Sequence, residues 1–209
     1  MNSEKSAKPT QIEASKPLAI FLIVAGIVGW IASFLLTLER FHVAADPNAT
    51  LSCDVASFIS CKSVMLSPEA MLFGFPNPLI GLATFVAPIA VGVAVLAGAS
   101  FAAWFWRLFF AGNVLAFVWV LWLSSEAIYE IGALCPYCMV AWIAVIPMFW
   151  QLFAHGAREG YLPMPAKSIG FFFKFYDWAW LAALLTAMAI ALEIAIKFWT
   201  LWLQFFHIA

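Results

Sequence analysis

Four cysteines are the residues of this 209-residue chain whose type and spacing can do chemistry. Cys135 and Cys138 enclose only Pro136 and Tyr137. A two-residue gap closes a tight, strained ring, a spacing common in redox-active dithiols, whose reactivity depends on thiolate character. The pair opens an apolar stretch that reads as a helix, so Cys135 stands near unpaired N–H groups and the positive end of the helix dipole. A thiolate is stabilised there, and it both attacks and leaves better. Pro136 suits the first helical turn, where its missing N–H costs nothing. Cys53 and Cys61 lie eight positions apart in a loop-like stretch, and for them a stapling disulfide and a redox pair are both open readings. A four-cysteine zinc site would be expected to show short spacing in both pairs. Haem attachment would need a histidine after Cys138, where Met139 stands. His42, His155 and His207 lie near expected interfaces and carry no assigned role.

The elements that must hold these sulfurs follow from composition. Hydrophobic residues make up 66% of the chain and charged residues 10%, against about half and about a quarter in soluble domains. The bilayer is the solvent this composition implies, and the net charge of -1 gives no argument for nucleic acid. Residues 1–16 are polar and read as a disordered cytoplasmic tail rather than a cleavable signal, which would carry a short apolar core and a cleavage site. Crossing a bilayer takes roughly 20 apolar residues, and five segments qualify: Pro17 to Leu38, Pro78 to Ala99, Leu108 to Ser125, Pro136 to Phe153 and Trp178 to Trp199. The fold class is therefore an all-α integral membrane protein. Glu193 and Lys197, one turn apart near the end of the fifth span, can pair or snorkel.

Basic loops stay in the cytoplasm. With the N-terminus inside, Lys5, Lys8, Lys16, Arg107, Arg158, Lys167 and Lys174 are cytoplasmic, which is seven of the ten basic residues. All four cysteines then fall on the outer side, where disulfides persist. Trp30, Trp104, Trp106 and Trp178 read as interfacial anchors or packing residues. The outer loop from Glu39 to Pro76 is too long for a mere connector, and loops of that size are usually functional. Cys138, one turn into an apolar helix, is out of reach of a soluble thiol but within reach of a lipid-soluble oxidant. The loop pair would meet a soluble partner, and the two pairs together suggest a relay.

The order of these residues resembles the vitamin K epoxide reductase family, its bacterial homologues in particular. A loop cysteine pair is followed by Ser67, by Phe73-Gly74-Phe75-Pro76-Asn77, by Gly81 and by a late Cys-x-x-Cys that opens a helix. The resemblance runs roughly from Leu18 to Phe153. It implies a catalytic bundle of four transmembrane helices around a quinone, over residues 17–155, with a linker at 156–177 and a fifth transmembrane helix within 178–209. By this resemblance Cys138 faces the quinone, Cys135 exchanges with the loop, Cys61 attacks the active-site disulfide, and Cys53 contacts an external thioredoxin-like protein. A Cys53–Cys61 disulfide is implied in one state. Ser67 matches a loop hydroxyl near the site, and Asn77 matches a side chain that hydrogen-bonds a quinone carbonyl. Where vertebrate members carry a quinone-binding tyrosine, this chain has Trp142, whose indole N–H can donate but not accept.

The expected activity is a quinone-linked thiol-disulfide oxidoreductase of the inner (plasma) membrane, using menaquinone or ubiquinone. It would re-oxidise a thioredoxin-like (DsbA-like) protein on the outer face and so sustain disulfide formation in exported proteins. Because the sequence ends at Ala209, that partner is expected to be a separate protein. A DsbB-type oxidase would place its Cys-x-x-Cys first, the reverse of the order here. A small transporter or scaffold with structural disulfides is the alternative from another class. Few charges lie inside the first four spans, which disfavours an ion or proton pathway.

Overall fold

A computed structural model describes residues 11–162 and 178–206. Lys5, Lys8, Lys167, Lys174 and His207, with most of the expected 156–177 linker, lie outside the described residues. Helix α1 (Lys16–Ala45) starts where Ser15 accepts a hydrogen bond from the Leu18 N–H, with Pro17 in the first turn. Such a cap satisfies one of the orphan donors at a helix start. The helix outruns its apolar stretch by seven residues, so Glu39, Arg40 and His42 are helical rather than part of the outer loop. The tail expected to be disordered is partly built: β1 (Gln11–Ile12) pairs antiparallel with β2 (Phe101–Ala102), and Ile12 is buried.

The second span is broken in two, α3 (Pro78–Thr84) and α4 (Val86–Leu96). Pro88 has no N–H to give the Thr84 carbonyl, and the helix is interrupted one residue after that carbonyl, at Phe85. It ends at Leu96, before Gly98 with φ 91°, instead of running on to Ala99. The span packs closely on α1 through small residues. A Cβ on Gly26 would sit 2.6 Å from Ile89 Cγ1, and one on Gly92 would sit 2.6 Å from the Ala19 carbonyl oxygen. Small residues let membrane helices approach to van der Waals contact, which is what holds them together where lipid is as apolar as protein.

Helix α5 (Ala103–Glu126) continues as a π-helical turn, Ala127–Ile131, and stops at Gly132 with φ 67°. Helix α6 (Pro136–Glu159) runs past Phe153 and ends at Gly160 in the left-handed conformation that favours glycine. Helix α7 (Ala179–Lys197) lies against α6, where Trp150 Nε1 donates to Thr186 Oγ1 at 3.0 Å. A short helix, α8 (Trp199–Phe205), follows it. Five helices, Lys16–Ala45, Pro78–Leu96, Ala103–Ile131, Pro136–Glu159 and Ala179–Lys197, are long and apolar enough to cross a membrane. Trp104 and Trp178 are exposed, as anchors would be, but Trp106 is wholly buried against Tyr161 and His155. Lys197 does not pair with Glu193: its Nζ lies 5.2 Å from the centre of the Tyr129 ring.

The loop after α1 carries α2 (Cys61–Met65) and a 3-10 turn at Pro68–Met71. Arg40 Nη1 donates to the Met65 carbonyl at 2.9 Å and so fastens the end of α2 to α1.

Candidate active site

The loop and the start of α6 meet through backbone. Val55 and Ala56 donate to the Ile59 carbonyl, and Ile59 donates back to Ala56, folding residues 55–59 into a tight turn. The turn then docks on Leu134. The Leu134 N–H donates to the Phe58 carbonyl at 2.8 Å, and the Ser60 N–H donates to the Leu134 carbonyl at 2.9 Å. These bonds flank the residues that matter, since Cys61 follows Ser60 and Cys135 follows Leu134. Ser60 also caps α2, its Oγ accepting from the Ser63 N–H.

Cys53 and Cys61 form a disulfide, while Cys135 and Cys138 are free thiols. The Cys135 Sγ lies 3.3 Å from the Cys61 Sγ, the two sulfurs in contact. Cys53, Cys61 and Cys135 are 4%, 0% and 1% exposed and share one apolar cluster with Leu36, Val43, Leu51 and Met65. Cys138 packs against this cluster and against the main core, and it alone of the four retains partial exposure.

Cys135 is the N-cap of α6, and its sulfur accepts from the Cys138 N–H at 3.5 Å. Its thiol is held below the usual thiol range. A hydrogen bond from the Cys138 side chain is the largest cause; burial opposes it, the backbone N–H groups of Cys138 and Tyr137 reinforce it, and the charge of Asp54 opposes it. The arrangement can therefore offer a thiolate at a helix start in contact with a disulfide sulfur, which is the requirement for thiol–disulfide exchange.

The loop is tied by side chains around its disulfide. Asp54 Oδ1 accepts from Ser60 Oγ at 2.9 Å and from the Lys62 N–H at 3.2 Å. Lys62 Nζ donates to the Ala49 carbonyl. Ser52 Oγ donates to Glu39 and lies 3.1 Å from the Tyr137 hydroxyl, linking the loop to the residue between the two free thiols. An open groove of about 560 Å³ runs beside the disulfide, with Asp54, Val55, Ser57, Lys62 and Leu66 in its lining.

The other expected site residues are Asn77, Ser67 and Trp142. Asn77 Nδ2 donates to the Glu69 carbonyl at 2.7 Å, while its Oδ1 is buried without a hydrogen-bond partner. Ser67 precedes the 3-10 turn but makes no side-chain cap, and its Oγ too is buried and unpartnered. Trp142 is packed in the main core. Among the described residues none of these three hydrogen-bonds a cysteine. Asp54, Leu134, Phe58 and Ser52 are the parts of the site the sequence reading passed over. The one available signal was Phe58, the single aromatic between Cys53 and Cys61.

A family model described as the vitamin K epoxide reductase family matches residues 20–153, more than half of the chain. No curated protein matches it.

Proposed function

The chain belongs to the vitamin K epoxide reductase family, and from that premise and the sulfur geometry we propose that this membrane thiol-disulfide oxidoreductase passes electrons from an outer thioredoxin-like protein to a quinone. The observation that carries the reading is the 3.3 Å contact between Cys61 and Cys135, one from each pair. A protein that used its cysteines only as staples would have no need to bring a free thiol with a lowered pKa against a disulfide.

Exchange begins when a thiolate of the reduced partner attacks Cys53. The Cys53–Cys61 bond breaks and its electron pair leaves on Cys61. The partner's second thiol resolves the mixed disulfide, so the partner departs oxidised and Cys53 becomes a thiol. The Cys61 thiolate then attacks Cys135 of an oxidised Cys135–Cys138 pair, and Cys138 leaves as the thiolate. Cys53 next attacks Cys61, restoring the loop disulfide and releasing Cys135. The two thiols at 135 and 138 give up two electrons and two protons to the quinone, which is released as the hydroquinone, and the disulfide between them re-forms. The loop disulfide beside two free thiols corresponds to the stage after internal exchange and before quinone reduction. Direction follows from potential, with about 30 mV worth about 1.4 kcal/mol for a two-electron couple.

Cys53 is buried at this stage, so the partner's attack requires the segment around Leu51 and Ser52 to lift from Val43 and Met65. The groove beside the disulfide gives the partner a surface of mixed charge and apolar character to settle on. The unpartnered Asn77 Oδ1 and Ser67 Oγ fit a quinone oxygen: the free Nδ2 hydrogen and the serine hydroxyl can donate to a carbonyl, and Oδ1 can accept from a hydroquinone hydroxyl. Donors aimed at an oxygen that gains charge stabilise it most when water is excluded. Menaquinone and ubiquinone both present such oxygens. Residues 17–155 form the catalytic unit in this reading. The excess of basic residues on one side supports a plasma-membrane topology with the N-terminus cytoplasmic and the cysteines outside.

The test is Cys138→Ser in the full chain. Thiol-driven quinone reduction should fall to background while the Cys53–Cys61 disulfide still forms. Normal turnover in that variant would refute the relay.

A further inference from the structure

Residues 178–206 lie beyond the part of the chain that matches the family model, so family membership gives the fifth span and α8 no task. Their contacts do. The ring of Phe58 is 2% exposed and is enclosed by aromatics from this segment: its centroid is 5.8 Å from Phe198, 4.7 Å from Trp202 edge-on and 6.1 Å from Phe205 edge-on. Phe198 is itself buried. The segment has its own footing on the bundle, through Thr186 to Trp150, through Trp180 packed edge-on against Phe21, and through Lys197 over the Tyr129 ring. Phe58 is thus a loop residue whose side chain is held from one side by the C-terminal helices, while its backbone carbonyl takes the Leu134 N–H on the other. Only Ile59 and Ser60 separate it from Cys61.

We propose that Phe58 is a positioning residue for the internal exchange, and that α7 and α8 serve as an aromatic clamp that holds the loop where Cys61 touches Cys135. This rests on the relay reading. The physical logic is proximity. Without an anchor, the turn at 55–59 is held to the start of α6 mainly by the backbone hydrogen bonds of Phe58 and Ser60 to Leu134, and a loop so held spends part of its time away from its partner sulfur. Edge-on aromatic pairs contribute beyond the area they bury and fix a direction as well as a distance. The clamp converts this into a high local concentration of one sulfur at the other.

The experiment measures that concentration directly. In the full chain, reconstituted in lipid nanodiscs, Cys53→Ala with Cys138→Ala leaves Cys61 and Cys135 as the only cysteines of the four. Equilibration against glutathione forms the Cys61–Cys135 bond as two protein thiols are oxidised and one glutathione disulfide becomes two glutathione thiols. The equilibrium constant is the effective concentration. Phe58→Ala and Trp202→Ala should each lower it about tenfold, and Phe58→Leu should recover part of the loss. Leu192→Ala, on the same span but with its side chain exposed, should leave it unchanged. If Phe58→Ala fails to fold, Trp202→Ala, which removes a ring from the other side of the same contact, decides the matter. An effective concentration unchanged in Trp202→Ala, or one lowered as much by Leu192→Ala, overturns the proposal. The readout needs neither quinone nor partner. A wild-type protein unable to reduce quinone would remove the relay reading, and a tenfold drop beside it would still establish the clamp.

Discussion

Cys61 and Cys135 are in contact, yet the chain holds them by different means. Cys135 is placed by covalent and helical geometry. It caps a 24-residue helix, Pro136 fixes the turn after it, and Leu134 before it is buried. Its sulfur also accepts from the Cys138 N–H in the first turn. Cys61 is placed by a loop that is tied down at points: Asp54 to Ser60 and Lys62, Lys62 to Ala49, Ser52 to Glu39, and two backbone bonds to Leu134. Hydrogen bonds of this kind contribute only about 1 kcal/mol each, and several can open together at modest cost. The contrast suits a relay. In the proposed relay the deep pair would keep one geometry toward the quinone, whereas the loop pair would release Cys53 from burial to meet a partner and then return. Segments that move in function are drawn from the less stable parts of a structure.

Single substitutions should separate the two regions. The largest expected effect comes from the sulfurs. Cys135→Ser should lower quinone reduction about 10³-fold whatever the reductant, as removal of a nucleophile does. Cys53→Ser should cost as much when the partner supplies electrons but little when a small lipid-soluble dithiol reduces the deep pair directly at the partly exposed Cys138. Equal losses with both reductants in Cys53→Ser would erase the distinction between the pairs. Asn77→Ala should come next, raising the KM for quinone about tenfold, the value of one hydrogen bond of about 1.4 kcal/mol, with the Cys61–Cys135 equilibrium unchanged. A shift in that equilibrium would assign Asn77 to the loop instead.

The smallest effect is expected from Asp54→Ala, several-fold in partner-driven turnover, because it frees Ser60 and Lys62 and loosens the loop. It should also move a titration. The Cys135 thiol is lowered, first by the Cys138 side chain, and Asp54 works against that lowering. A group with a depressed folded-state pKa contributes stability that is present above its unfolded value and is lost as pH falls through the folded one. Thiolate absorbance at 240 nm in the state with free Cys135 should therefore disappear at lower pH in Asp54→Ala than in wild type. Cys138→Ala should move it the other way, toward the ordinary thiol range.

Much of this was legible in the sequence. Apolar runs located five spans, and Pro136 after Cys135 marked a helix start with a sulfur at its cap. The ends were harder, because hydropathy reports where lipid lies and not where hydrogen bonding stops. Glu39 to Ala45 extend α1 for this reason, and Trp104 to Arg107 belong to α5. The break at Phe85 was implicit in Pro88 but invisible to hydropathy. The pairing of Gln11 and Ile12 with Phe101 and Ala102 is a long-range contact that no local pattern carries. In the site, cysteine spacing pointed to the chemistry, while Asp54, Leu134 and Phe58 escaped notice because their importance lies in what the fold brings to them. Trp106 was open to an interfacial or a packing role and is buried, because a tryptophan at a span end reads alike in either place.

The most direct test of the account asks which sulfur bridges to residue 135 during turnover. Cys138→Ser protein, its residue 135 first oxidised to a mixed disulfide with glutathione, would be given reduced partner, quenched in acid and digested for mass spectrometry of linked peptides. The relay predicts a bond between Cys61 and Cys135 that rises as glutathione leaves and then decays as Cys53 displaces it and restores the loop disulfide. A bridge from Cys53 to Cys135, or direct linkage of the partner to Cys135 with Cys61 left out, would contradict it.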